Sequence, residues 1–210
     1  MILHGYWRSG TSYRTRIALN LKGLSYDLVG VDLRTGAQRS GDYLALNPQG
    51  LVPALVTDGG DVLSQSPAIL EWLEETFPQP ALLPSDPVAR AQVRAMAAVV
   101  GCDIHPLNNL RVLKAVKAIG ADDAATQGWI AQWIVSGFDA LEAMVAKQGR
   151  GWCYADTPTL ADCYLIPQIY SARRFNVDLS AYPNLLAIET RAQAHPAFAA
   201  AHPDRQPDAG

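Results

Sequence analysis

Residues 8 to 16 read R-S-G-T-S-Y-R-T-R, three arginines among five hydroxyl side chains, directly ahead of the apolar run Ile17-Ala18-Leu19. A helix that starts here turns its unpaired N–H groups and the positive end of its dipole toward whatever lies before it, which favours an anion. A thiolate is such an anion, and thiols held at helix N-termini ionise well below their ordinary pKa of about 8.5. Hydroxyls from Ser9, Thr11 or Ser12 can donate to it. The stretch holds no cysteine, histidine or carboxylate, so a thiolate at this place has to come from a bound cofactor. The residues also fit a plain capped helix with its arginines in water, and composition alone prefers that reading.

The same geometry recurs at Gln65-Ser66, between a strand and a helix that opens with Pro67. Ser66 reads as the N-cap, and the first-turn N–H groups suit a carboxylate. Pro53 lies inside the apolar run Leu51 to Val56. A proline there belongs on an edge or in a special turn, and a cis Val52-Pro53 bond would turn the Val52 backbone groups toward a ligand.

The elements that must position these residues follow from periodicity and punctuation. Ile2 to Tyr6, Tyr26 to Leu33, Leu51 to Val56 and Val62 to Ser64 read as strands, and Asp58-Gly59-Gly60-Asp61 as a hairpin turn. Residues 12 to 22 read as a helix capped by Ser12 or Thr11 and ended by Gly23, and Ser66-Pro67 opens another with Ile69, Leu70, Leu73 and Phe77 on one face. Residues 1 to 80 therefore read as a small α/β unit. Pro78, Pro80, Pro84 and Pro87 mark a joint, after which no strand alternation appears. Residues 88 to 118 are helical with a break at His105-Pro106. Ile130, Ile134, Phe138, Leu141 and Val145 form a helical stripe, and Thr159-Leu160-Ala161-Asp162 is a capping box. Residues 184 to 201 read as one further helix, and the polar tail from His202 is expected to fray. The domain division is 1 to 80 and 88 to 210.

Composition narrows the function classes. Apolar residues make up 49% of the 210, the formal net charge is −3, and no basic block stands out, which argues against nucleic acid or anionic membrane as partner. The N-terminus lacks the pattern of a signal peptide, and no apolar run approaches the roughly 18 residues of a membrane span. Cys102, Cys153 and Cys163 are odd in number and have no C-x-x-C spacing. A disulfide framework and a metal site are both disfavoured, and a reducing cytoplasm fits best. Each cysteine reads first as a small buried hydrophobe. Cys102 is the one near the residues of interest.

Together these features resemble the glutathione transferase superfamily along nearly the whole chain. The resemblance implies an α/β thioredoxin-like N-terminal domain with Val52-Pro53-Ala54-Leu55 as the cis-proline segment, and an all-α C-terminal domain. Arg8 to Leu19 resembles the zeta-class signature R-S-S-C-S-W-R-V-R-I-A-L, with Gly10 and Thr11 standing where that pattern has serine and cysteine. The stretches ALNPQGLVPAL, QSPAILEWLEE, GCDIHPLNN, DTPTLADCYL and SARRFNVDL narrow the resemblance to isomerases within that class. It implies glutathione as cofactor, bound through Ser9, Thr11, Gln38, Val52, Gln65, Ser66, His105, Asn109 and Arg111. Catalytic roles fall on Ser9, Thr11 and Arg8. Arg8, Arg111 and Arg174 are the candidates for substrate carboxylates, with Arg173 left as a solvated surface charge. The implied reaction is cis–trans isomerisation of maleylpyruvate to fumarylpyruvate in gentisate degradation. Thiolate addition makes the double bond single, rotation follows, and elimination restores the alkene. Maleylacetoacetate isomerisation or a general zeta-class transferase activity would use the same residues, and a non-catalytic binding protein of this fold is a further alternative. A homodimer is the usual state of the resembled family.

Overall fold

The computed structural model describes residues 1–209. The chain divides into two compact units, Met1–Leu82 with the segment from Gln193 onward, and Leu83–Ala192.

In the first unit β1 (Ile2–Gly5) leads into α1 (Gly10–Leu21) and β2 (Asp27–Gly30). A 3-10 turn (Ala37–Arg39) and α2 (Gly41–Leu46) precede β3 (Ala54–Val56), β4 (Val62–Ser64) and α3 (Ser66–Thr76). The sheet order is β2-β1-β3-β4. β1 and β2 run parallel, Leu3 opposite Leu28, as a helical crossover through α1 requires. β3 is antiparallel to β1 and β4. Leu3 and Leu55 from the strands, Ile17, Ala18 and Leu19 from α1, and Ile69, Leu70 and Leu73 from α3 are wholly buried and form the core.

Buried charge ties α1 to the end of α3. Lys22, the C-cap of α1, donates to Glu74 Oε2 at 2.5 Å and to the carbonyls of Phe77 and Pro80 at 2.8 and 2.7 Å. The same Glu74 oxygen accepts the Leu82 N–H at 2.9 Å. Every polar group here has a partner, the condition under which a buried ion pair is tolerated.

Five details depart from the sequence reading. Pro53 precedes β3 instead of lying in it. The stretch between the second and third strands, read without a helix, holds α2, whose Tyr43 and Asn47 matter below. Residues 183 to 201 form α8 (Pro183–Ala194) and α9 (Pro196–Ala201), because Pro196 lacks the N–H that a continuous helix needs. The tail packs where fraying was expected: Arg16 donates to the Ala201 and Trp7 carbonyls, and Asp208 accepts the Trp7 N–H at 2.9 Å. Arg14 and Arg16 are 2% and 0% exposed, so the picture of arginines in water holds for neither.

The second unit is helical. α4 (Pro87–Ala98), capped by Asp86, runs into a π-helical segment (Val99–Ile104), followed by α5 (Leu110–Ala118), α6 (Asp123–Gln148), α7 (Leu160–Arg174) and most of α8. The stripe on α6 is buried as expected, and Gly137 lies within it. A Cβ there would meet Ile104 Cδ1 at 2.3 Å, so only glycine allows the π segment to pack this close. Thr159 and Asp162 form the capping box of α7. Cys153 and Cys163 are buried and Cys102 is exposed, so the small-hydrophobe reading fails for Cys102.

Candidate thiol and carboxylate site

The N-cap of α1 is Ser9, not Ser12 or Thr11. Its hydroxyl oxygen accepts the Ser12 N–H at 3.3 Å and lies 2.9 Å from Thr11 Oγ1. Ser12 turns inward, is wholly buried and accepts the Tyr6 N–H at 3.2 Å, which ties the helix start to the end of β1. Thr11 donates its hydroxyl proton to the Val52 carbonyl at 2.9 Å. A hydroxyl has one proton, so the proton in the Ser9–Thr11 bond belongs to Ser9. The result is a directed chain from Ser9 to Thr11 to Val52. It joins the helix terminus to the segment whose Val52-Pro53 bond is cis.

That segment is held from behind. Tyr43 Oη and Asn47 Nδ2, from α2 and its C-cap, both donate to the Leu51 carbonyl at 2.7 Å. Burial pushes the Tyr43 hydroxyl pKa up to about 12, so it remains a donor at neutral pH. Gly50 has φ +61, and a Cβ on it would stand 3.0 Å from the Gln38 carbonyl, which places the 3-10 turn bearing Gln38 against the same loop. The buried Oε1 of Gln38 has no hydrogen-bond partner among the described residues. Sequence reasoning missed Tyr43, Asn47 and Gln49, whose contacts join segments with no shared pattern.

At α3 the N-cap is Gln65 and not Ser66, which is the first helical residue. Gln65 has φ 66, a left-handed backbone that is uncommon for a residue with a Cβ. Its side chain is exposed and donates to Gln49 Oε1 at 2.5 Å instead of capping its own helix. Ser66 is 2% exposed and its hydroxyl accepts from Arg14 Nη1 at 3.1 Å. The first turns of α1 and α3 contain no acidic residue. Both termini thus keep their positive ends for an outside anion. Arg8 is half-buried, its guanidinium 5.2 Å from the centroid of the Trp7 ring.

The first unit therefore brings together Ser9, Thr11 and Val52, sets Gln38 on the adjoining loop, and links Ser66 to α1 through Arg14. The remaining candidates lie in the second unit. His105 follows the π segment, and Asn109 caps α5 by accepting the Arg111 N–H at 3.2 Å. Arg111 and Arg174 are exposed, the latter 4.8 Å from the Phe175 ring centroid. Leu110 and Phe175, their sequence neighbours, line one groove of about 430 Å³ with Leu113 and Ile130, and neither arginine is among its lining residues. Arg173 instead grips Glu189 through two bonds of 2.9 and 2.5 Å, an ion pair where a solvated surface charge was expected.

Comparison with known proteins identifies the family. Residues 8–76 match the N-terminal domain model of glutathione S-transferases, and residues 123–200 the C-terminal domain model. The chain is 55% identical over 212 residues to a maleylpyruvate isomerase of Ralstonia sp, covering 99% of both chains. It is 53% identical to a maleylacetoacetate isomerase of Pseudomonas aeruginosa, covering 99% of this chain and 98% of that one. Among solved structures, a holo maleylpyruvate isomerase, described as a bacterial zeta-class glutathione S-transferase, superposes with a TM-score of 0.96 at 53% identity over 100% of both chains. A maleylacetoacetate isomerase of Methylobacterium extorquens with bound malonate and GSH gives 0.94 at 40% identity, again over 100% of both. The thioredoxin-like sheet unit, the helical unit and these end-to-end relatives lead to one assignment: the chain belongs to the glutathione S-transferase family, in its zeta class.

Proposed function

We propose that this protein catalyses the glutathione-dependent cis–trans isomerisation of maleylpyruvate to fumarylpyruvate, a step in aromatic-acid breakdown through gentisate. The observation that carries the reading is the Ser9–Thr11–Val52 chain at a helix terminus with no acid of its own and no cysteine. Glutathione fits the residues present. It has a thiol for α1, a γ-glutamyl carboxylate for α3, and polar atoms for the unsatisfied Gln38 Oε1. When bound it supplies the nucleophile whose addition and loss let the double bond rotate.

The chain's own residues do the rest. The first-turn N–H groups of α1 stabilise a negative sulfur, the Ser9 proton turns from Thr11 to that sulfur when the cofactor binds, and Val52 offers backbone groups to the cysteinyl residue. Gln65 and Ser66 receive the γ-glutamyl end; His105, Asn109 and Arg111 complete the cofactor set. Arg8, Arg111 and Arg174 hold the substrate carboxylates and the oxygen on which charge develops. No proton moves to or from carbon, which suits a site without a general base. Residues 1 to 80 supply most of the cofactor contacts and 88 to 210 most of the substrate contacts, in a cytoplasmic homodimer. The net charge of −3 gives no support to a nucleic-acid or membrane partner. Maleylacetoacetate is the second substrate reading, favoured by the 53% identity to an isomerase of that name.

Turnover of maleylpyruvate by the purified protein should vanish without glutathione, and S-methylglutathione should not restore it. Full activity after dialysis sinks the proposal, and the ratio of kcat/KM for the two dicarboxylates decides between them. Arg→Ala at position 8, 111 or 174 should lower kcat/KM by an amount equivalent to about 2–5 kcal/mol, with glutathione affinity less affected at position 8 and 174. Wild-type kinetics in all three variants would show that other residues hold the substrate.

A further inference from the structure

We propose that Arg14 is a positioning residue for the γ-glutamyl carboxylate of glutathione, acting through Ser66. The proposal rests on the reading of Ser66 as a cofactor residue. Arg14 Nη1 reaches Ser66 Oγ at 3.1 Å across 52 positions of sequence, and each residue is 2% exposed. A guanidinium can only donate, so the Ser66 oxygen is the acceptor. The serine proton is then released for a different acceptor, and in the family of geometries left to it that acceptor is an anion at the start of α3.

The surroundings suit this. Gln65, the N-cap of α3, makes no side-chain capping bond, and the first turn holds no acid. The helix therefore presents N–H groups that its own side chains leave to others. A cation beside the positive end of a helix is opposed by the dipole, and a carboxylate bound between them reverses the sign of both interactions. Arg14 lies five residues beyond Ser9, the N-cap of α1, a rise of about 7.5 Å along the helix. One helix thus serves both ends of the γ-glutamyl-cysteinyl unit: its N-terminus takes the sulfur, and a side chain from its second turn sets the serine that takes the carboxylate. This also explains why the arginine of the opening stretch is buried where a leucine would pack with no charge to desolvate.

The test compares Kd values, by calorimetry, for glutathione and for 4-aminobutyryl-cysteinylglycine, which lacks only the α-carboxylate of the γ-glutamyl residue. Wild type should prefer glutathione. Arg14→Met should cut that preference about tenfold, the worth of one hydrogen bond to a charged group. Ser66→Ala should cut it by a similar factor, and the double variant should lose little more. Equal weakening of both ligands in Arg14→Met means a merely structural arginine and overturns the proposal, as does an unchanged preference. Should Arg14→Met fail to fold, Arg14→Lys carries the same comparison: its shorter, single-headed donor cannot keep the bond from that backbone position, and a wild-type preference there overturns the proposal. A wild type that does not distinguish the two ligands refutes the reading of Ser66 itself, an outcome separate from the others.

Discussion

Two of the helices that begin with a hydroxyl residue as cap, α1 and α7, treat the positive end that follows in opposite ways. At α7 the terminus is closed from within. Asp162 is wholly buried and accepts the N–H and hydroxyl of Thr159 at 2.7 and 2.9 Å and the Cys153 N–H at 2.8 Å. At α1 Ser9 caps, but no carboxylate follows in the first turn, and the hydroxyl chain runs outward to Val52. A helix that supplies its own anion spends its terminus on folding. One that withholds it keeps a field for a ligand.

The largest effect should come from opening the closed terminus. Asp162→Ala leaves three buried donors without their acceptor, at roughly 1–3 kcal/mol for each group left unsatisfied, so the urea midpoint should fall steeply. A midpoint near wild type would mean that water repairs the site. The pH dependence has a definite sign. Burial pushes the Asp162 carboxyl up, against the hydrogen bonds that pull it down. Between its unfolded value and this raised value the native state holds a proton that the unfolded chain has lost, so this group's contribution falls as pH rises across that window. Wild-type stability measured against Asp162→Asn should therefore increase on acidification.

Closing the open terminus is the converse experiment. Thr11→Asp gives α1 an anion of its own and removes the Thr11–Val52 bond, so the melting temperature should stay near wild type while glutathione-dependent turnover falls about a hundredfold, the upper range for loss of one charged hydrogen bond. Loss of stability with turnover retained would break the comparison.

Smaller changes grade the hydroxyls. Ser9→Ala should raise the pKa of the bound thiol by about 1–2 units, from the roughly 1.5–3 kcal/mol of a hydrogen bond to a charged group, and lower stability by about 1 kcal/mol as a lost cap. The dipole and backbone N–H groups remain, so activity should fall without disappearing. Thr11→Ala should do least to the thiol, because Thr11 donates its proton to the Val52 carbonyl and its removal frees the Ser9 proton for the sulfur. Thr11→Cys should be tolerated. Thiolate absorbance against pH in each variant reads the order directly, and an unchanged titration in the Ser9→Ala, Thr11→Ala double variant would refute any part for the hydroxyls.

The sequence alone determined what local pattern encodes. Alternation and helical stripes marked the four strands and the α6 core, Thr159 to Asp162 marked a cap because its partners are three residues apart, and the run from Arg8 to Leu19 marked the thiol-binding helix start. Its reach ended where partners are distant in the chain. It placed the caps of α1 and α3 a few residues off, since Ser9 and Gln65 take those positions only through the backbone angles that β1 and β4 hand to them. It had no signal that Tyr43 and Asn47 would converge on the Leu51 carbonyl, that Pro196 would split the last helix, or that Asp208 would anchor the tail to Trp7. Least legible were Arg14 and Arg16, which composition assigns to solvent. Only tertiary structure could bury them, because a guanidinium leaves water when fixed oxygens from remote segments replace its hydration, and those oxygens belong to Ser66, Trp7 and Ala201.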